Sequence, residues 1–176
     1  MNGMKSRTLS WLALIVVALA TIGCDRVTKH VAMATLAGRP DRSYLADTVR
    51  VGYVENPGGF LSFGASLPAA GRTTLFTFAT GIALLTLVVV AIRRPWDGLS
   101  MCGLTLFFAG GASNWIDRIL RGSVVDFMNV GIGVVRTGIF NVADVAILLG
   151  VGIFVVAEFR KVQEIPSSGA TGDGEA

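Results

Sequence analysis

Two aspartates are the first candidates for chemistry: Asp126 in "VVDF" and Asp144 in "FNVADVAI". Both stand among apolar residues, where an isolated carboxylate is costly and must find a partner or a proton. Two carboxyls brought close cannot both ionise cheaply, so they share one proton and titrate as a pair. That state suits peptide hydrolysis: the ionised member takes a proton from water while the neutral member hydrogen-bonds the scissile carbonyl. Spacing alone does not bring the two together. Read singly, Asp126 is a loop carboxylate rather than a catalyst, and the alternative for Asp144 is a proton site of the kind a small carrier uses.

Other chemistries are disfavoured. No serine or cysteine has an evident base beside it. His30 is the only histidine, and no C-x-x-C occurs, so a multi-His zinc site is excluded and no metal or cofactor is expected. The net charge of +3 comes without a basic run interleaved with aromatics, so no nucleic-acid partner is expected.

Further polar residues fall at helical spacing. In "DRVTK", Asp25 and Lys29 are i,i+4 with the acid first, the favourable order for an ion pair, and Thr28 shares their face. The plain alternative is a solvated pair at a helix end. In "NWIDRILR", Asn114 and Arg118 are i,i+4 with Asp117 adjacent, after a Gly110-Gly111 pair that permits close helix approach. Asn141 and Asp144 are i,i+3 and share a face. A helix starting at Ile139 would carry Asp144 roughly 7 Å inside, at about 1.5 Å per residue.

The elements that must position these groups are membrane spans. Of 176 residues 52% are hydrophobic and 15% charged, with a mean hydropathy of +0.64, whereas a soluble domain carries about 25% charged residues. Four stretches meet the length for a span: Leu9 to Cys24 with continuation to Ala32, Thr73 to Ile92, Leu99 to Trp115, and Ile139 to Phe159. Arg93-Arg94-Pro95 ends the second and Arg160-Lys161 the fourth. The predicted fold is an all-α integral membrane protein with four transmembrane helices and a small extracytoplasmic β-cradle, one domain over 1–164 followed by a disordered tail over 165–176. Lys5, Arg7, Arg93, Arg94, Arg160 and Lys161 share one side, which places both termini in the cytoplasm. The outer segments are then 33–72 and 116–138. In the first, Val49, Val51 and Tyr53 alternate as in a strand, placing the β element over 47–63; the second reads as short and glycine-punctuated.

The opening residues resemble a lipoprotein leader, "LATIGCD" after a basic start and an apolar run. Three further spans follow, however, and Thr21 stands where a lipobox prefers leucine. Cys24 is therefore read as a packed helix residue. It and Cys102 lie near opposite membrane faces, so no disulfide is expected.

In register, "DRVTK" (25–29), "NPGGFLSFG" (56–64), "NWIDRILRGSVVDF" (114–127) and "FNVADVAI" (140–147) resemble the lipoprotein signal peptidase family, signal peptidase II, from about residue 10 to residue 160. The resemblance implies an intramembrane aspartic endopeptidase of the bacterial inner membrane, its active site near the extracytoplasmic face. Such enzymes remove signal peptides from prolipoproteins just before a diacylglyceryl-modified cysteine. It implies catalytic roles for Asp126 and Asp144, substrate-binding or dyad-supporting roles for Asn56, Gly58, Asn114, Arg118 and Asn141, and structural roles for Asp25, Lys29 and Asp117. Lipid-modified prolipoproteins and membrane lipids are the implied partners of a monomer without cofactor or metal. Phe60 and Leu61 replace small residues of the familiar motif, implying a bulkier loop over the substrate, and Ser113 stands where glycine is usual. The alternatives are a non-catalytic four-helix membrane protein and a small carrier using Asp144; no internal repeat supports the carrier.

Overall fold

The computed structural model describes residues 2–58 and 68–163. The chain runs α1 (Asn2–Leu36), β1 (Arg42–Tyr44), β2 (Val49–Asn56), α2 (Ala69–Arg93), α3 (Gly98–Arg121), β3 (Val124–Ile132), β4 (Val135–Arg136) and α4 (Val142–Gln163). Each of the four helices contains a stretch long and apolar enough to cross a membrane. The strands come from the α1–α2 and α3–α4 connections and form one antiparallel sheet in the order β1-β2-β3-β4. The sheet therefore sits at one end of the bundle, and the short α2–α3 link lies at the other.

The pattern of burial is that of a protein whose solvent is lipid. Leu12, Ile15 and Val16 of α1, Phe78, Ile82 and Leu85 of α2, and Leu149 and Phe159 of α4 all face outward, a hydrophobic exterior no soluble monomer of this size presents. Inward-facing positions are small or polar. On α3, Gly103, Gly110, Asn114 and Asp117 recur at three-, four- and seven-residue intervals and are buried together. A Cβ at Gly103 would lie 2.8 Å from the Gly150 carbonyl oxygen and from the Phe154 nitrogen, and one at Gly150 would lie 2.5 Å from the Phe107 nitrogen. Only hydrogen fits there, so α3 and α4 pack backbone to backbone, as small residues allow in membranes. Trp115 pins α2, its indole N–H donating to the Thr77 carbonyl at 2.7 Å.

At the far end, Asp97 caps α3, accepting from the backbone N–H groups of Leu99 and Ser100. Its other oxygen faces the Lys161 ammonium at 2.5 Å, and Lys161 also meets Glu158. The Lys161 hydrogen bond holds the Asp97 carboxyl well below the usual carboxylate range.

Several boundaries differ from the sequence reading. α1 runs on to Leu36. α3 continues past Trp115 to Arg121, closed by Gly122 in the left-handed region at φ 76°. α4 begins at Val142, so Asp144 lies in its first turn rather than 7 Å inside. The strand expected over 47–63 is β2, but the segment 116–138 is no simple connection: it supplies β3 and β4. Val124 to Phe127 are all buried, so no alternation marks the strand. Phe127 joins Ala32 and Leu36 in a cluster that seats the sheet on the end of α1, with Val51, Tyr53 and Val142 packed against it. Cys24 is exposed on the outer face of α1, not packed, and both cysteines are free. The loop positions Phe60 and Leu61 and the tail 165–176 lie outside the described residues.

Backbone contact between α3 and α4 makes a prediction. Gly103→Ala should lower the Tm in detergent, by about 1–3 kcal/mol of stability, whereas Gly152→Ala, where a Cβ meets nothing within 4 Å, should leave it unchanged.

Candidate active site

The β2–β3 register pairs Val54 with Asp126 and Asn56 with Val124, which carries the Asn56 side chain to Asp126. The Gly58 N–H donates to Asn56 Oδ1 at 3.0 Å, and this fixes the amide so that Nδ2 donates to Asp126 Oδ2 at 3.0 Å. Asn141 supplies the other donor, Nδ2 to Asp126 Oδ1 at 2.6 Å. Through its remaining atoms the same residue opens α4. Its Oδ1 accepts the Asp144 N–H at 3.0 Å, and its own N–H donates to Asp144 Oδ2 at 3.1 Å. This reciprocal pair is a capping box. Asp144 thereby sits where the positive end of the helix favours an anion. One asparagine thus touches both carboxylates.

Asn114 completes the ring, donating from Nδ2 to Asp144 Oδ1 at 2.9 Å. Its Oδ1 accepts from Lys29 Nζ at 2.7 Å and from Asn141 Nδ2 at 3.2 Å. Arg118, one turn further along α3, donates to the Gly58 carbonyl at 3.0 Å and lies 5.9 Å over the Phe76 ring. It clamps the end of the β2 loop against α3. Asn56, Asn114, Arg118, Asp126 and Asp144 all line one cavity of about 550 Å³. The remainder of its wall is mostly apolar, with Phe76, Ala79 and Ala83 of α2, Phe107 of α3, and Ile147 and Leu148 of α4.

Burial pushes the Asp126 carboxyl up from 3.8 to about 6, against the pull of the Asn56 hydrogen bond and with the neighbouring Asp144 charge adding to the rise. Between those two values the folded chain binds more protons than the unfolded chain, so this group costs stability as pH rises toward and past about 6.

Behind the cavity lies a second, fully enclosed layer. Asp25, Lys29 and Asp117 are 0%, 0% and 1% exposed. The Lys29 ammonium stands 2.7 Å from Asp25 Oδ2 and 2.8 Å from Asp117 Oδ2. Asp25 Oδ1 accepts the Ala143 N–H at 2.8 Å, so a carboxylate of α1 holds the first turn of α4. The i,i+4 pair read from the sequence is present, but as a buried element of the bundle and not as a solvated helix end. Thr28 does not join it; its hydroxyl bonds back to the carbonyls of Cys24 and Asp25.

Two participants escaped the sequence reading. Arg26 pairs with Asp117, and Ser113 donates to Asp25 Oδ2 at 2.6 Å. Ser113 was visible as a departure from glycine, but nothing in its neighbours names a partner 88 positions away. Among the described residues no group of three His, Cys, Asp or Glu side chains converges as a metal site would.

The comparisons with known proteins bear on this geometry. A family model described as Signal peptidase (SPase) II matches residues 17–160. The chain belongs to the signal peptidase II family. The lipoprotein signal peptidase of Syntrophus aciditrophicus is 39% identical over 113 residues, 64% of this chain and 70% of that one. That of Desulforapulum autotrophicum is 30% identical over 164 residues, 92% of this chain and all of its relative. A solved bacterial membrane enzyme covers 90% of this chain and 94% of its own with a TM-score of 0.75 at 27% identity; a second reaches 0.72 at 28%. This signal peptidase II homologue is thus a bacterial membrane protein of a protease family, with four helices and a small antiparallel sheet.

Two measurements follow from the geometry. Lys29→Met leaves Asp25 and Asp117 buried without their shared cation and should cost about 3–5 kcal/mol, read as a lower Tm. Infrared spectroscopy at pH 5 should show a protonated carboxyl band that bleaches with a midpoint near 6 and is missing from Asp126→Asn.

Proposed function

We propose that the chain is an intramembrane aspartic endopeptidase that removes signal peptides from diacylglyceryl-modified prolipoproteins just before the lipobox cysteine, with Asp126 and Asp144 as its catalytic pair. The observation that carries this reading is Asn141, which hydrogen-bonds both of the carboxylates that line one cavity. Carboxyls so placed share a proton. The elevated Asp126 supplies it, and Asp144, ringed by donors at the start of α4, takes a proton from the attacking water.

In the first step the water oxygen bonds to the scissile carbonyl carbon, its proton passes to Asp144, and the carbonyl oxygen takes the proton of Asp126. In the second the carbon–nitrogen bond breaks: the proton on Asp144 goes to the leaving amine of the cysteine, and a gem-diol hydroxyl returns its proton to Asp126. Asn56, Asn114 and Asn141 orient the pair. Arg118 holds Gly58, just past the end of β2, beside the cavity. Asp25, Lys29 and Asp117 support the helices. The apolar wall formed by α2, α3 and α4 suits the acyl chains of the substrate, which then arrives from the membrane plane. Lys5, Arg7, Arg93, Arg94, Arg160 and Lys161, close to the helix ends on the α2–α3 side, favour that side as cytoplasmic, although the other nine basic residues, several of them beside acids, fall on the opposite side. Both termini are then cytoplasmic and the pair is near the opposite face. The single domain acts as a monomer on lipid-modified prolipoproteins within membrane lipids.

Cleavage of a diacylglyceryl-modified prolipoprotein by purified protein tests the reading. Asp126→Asn and Asp144→Asn should each lower kcat on the order of a thousandfold or more, and a metal chelator should leave the rate unchanged. Full activity in both variants would end the account.

A further inference from the structure

Lys29 is buried completely and lies on α1, which contributes no wall to the cavity. Yet it is joined to Asp144 through a single residue. An ammonium has donors only, so the Asn114 atom 2.7 Å from Lys29 Nζ must be the amide oxygen. That leaves the amide nitrogen, with its two hydrogens, facing Asp144 Oδ1 at 2.9 Å. Were the amide reversed, its NH2 would meet the ammonium and its oxygen would meet a carboxylate, two repulsive contacts in place of two attractive ones. On the cavity side Asn141 reaches the same Oδ1 only at 3.2 Å, so the shortest contact fixing the amide oxygen is the one from Lys29.

The other charges around Asp144 do not supply this asymmetry. Asp126 across the cavity and Asp25 on α1 carry the same sign as Asp144, while Arg118 on α3 faces both Asp126 and Asp144 and donates to the Gly58 carbonyl. Asp25 and Asp117 are engaged by Lys29, Arg26, Ser113 and the Ala143 N–H. Asp126 feels the Lys29 charge through space as well, but its donors are Asn56 and Asn141, and Asn114 does not touch it.

We infer that Lys29 is a positioning residue for catalysis: by locking the Asn114 amide it directs a donor at Asp144 and makes Asp144, not Asp126, the ionised base of the pair. The buried cation thus does more than hold helices together. It adds a directed donor to the asymmetry that the start of α4 already gives the two carboxylates. The inference rests on the catalytic pair proposed above, whose own failure shows separately as activity retained in Asp126→Asn and Asp144→Asn.

Removing Lys29 alone leaves two buried acids with one cation, so the test uses a charge-compensated background. Four proteins are compared: Asp117→Asn, Lys29→Met/Asp117→Asn, and each of these with Asn114→Ala added. Their kcat and KM are measured across pH on a diacylglyceryl-modified prolipoprotein. With Asn114 present, loss of Lys29 should lower kcat on the order of tenfold and move the acidic limb of the profile up by about one pH unit, with KM within about twofold. With Asn114→Ala in place, the same loss should change kcat by less than about twofold, because the shared route is already gone. Lys29→Arg, which keeps a donor-only cation, should retain the acidic limb of the parent. An acidic limb that does not move, a loss carried by KM alone, or losses that multiply regardless of Asn114 would overturn the inference and leave Lys29 a purely structural residue.

Discussion

The structure depends on one buried cation. Lys29 meets oxygens of Asp25, Asp117 and Asn114 within 2.8 Å, and its side chain is completely buried. An ammonium so placed is costly unless it is paired, and here two carboxylates and an amide oxygen from two helices surround it. Because Asp25 also takes the Ala143 N–H, the same contact fixes the start of α4. Three helices are thereby locked in register at the end that carries the sheet.

From that lock the candidate site follows with few further requirements. α3 and α4 approach to backbone contact through Gly103, Gly110 and Gly150, which brings Asn114 beside Asn141. The β2–β3 ladder then delivers Asn56 to Asp126. Each of the three asparagines is oriented by a group of fixed polarity: a backbone N–H for Asn56, a backbone N–H and the helix start for Asn141, an ammonium for Asn114. Amides oriented from behind make a rigid row of donors aimed at two carboxylates, and that rigidity is what a polar site in a bundle of apolar helices needs.

Much of this was legible in the residues, for physical reasons that can be stated. Four apolar stretches announce four helices because a bilayer demands length and apolarity together. Asp25 and Lys29 at i,i+4 announce an ion pair because helical spacing is local. What the sequence concealed was everything nonlocal or lacking periodicity. β3 is buried along "VVDF", so it shows no alternation, and the segment that contains it reads only as short and glycine-punctuated. Arg26 and Ser113 find partners on another helix, and no local pattern encodes that. The start of α4 was placed too early because Ile139 and Phe140 continue the apolar run; the capping box of Asn141 with Asp144 marks the true beginning. That signal was present as N-x-x-D, and it was read only as a shared face.

The central claim is that Asp126 and Asp144 close on a single oxygen. It is met most directly by a structure of the protein with a non-cleavable lipopeptide, diacylglyceryl-modified and carrying a hydroxyl in place of the scissile carbonyl. The account predicts that hydroxyl within about 3 Å of a carboxylate oxygen of each aspartate, with the acyl chains against the wall of α2 and α4. A hydroxyl bound to one aspartate only, or a lipopeptide seated outside the cavity, would contradict it.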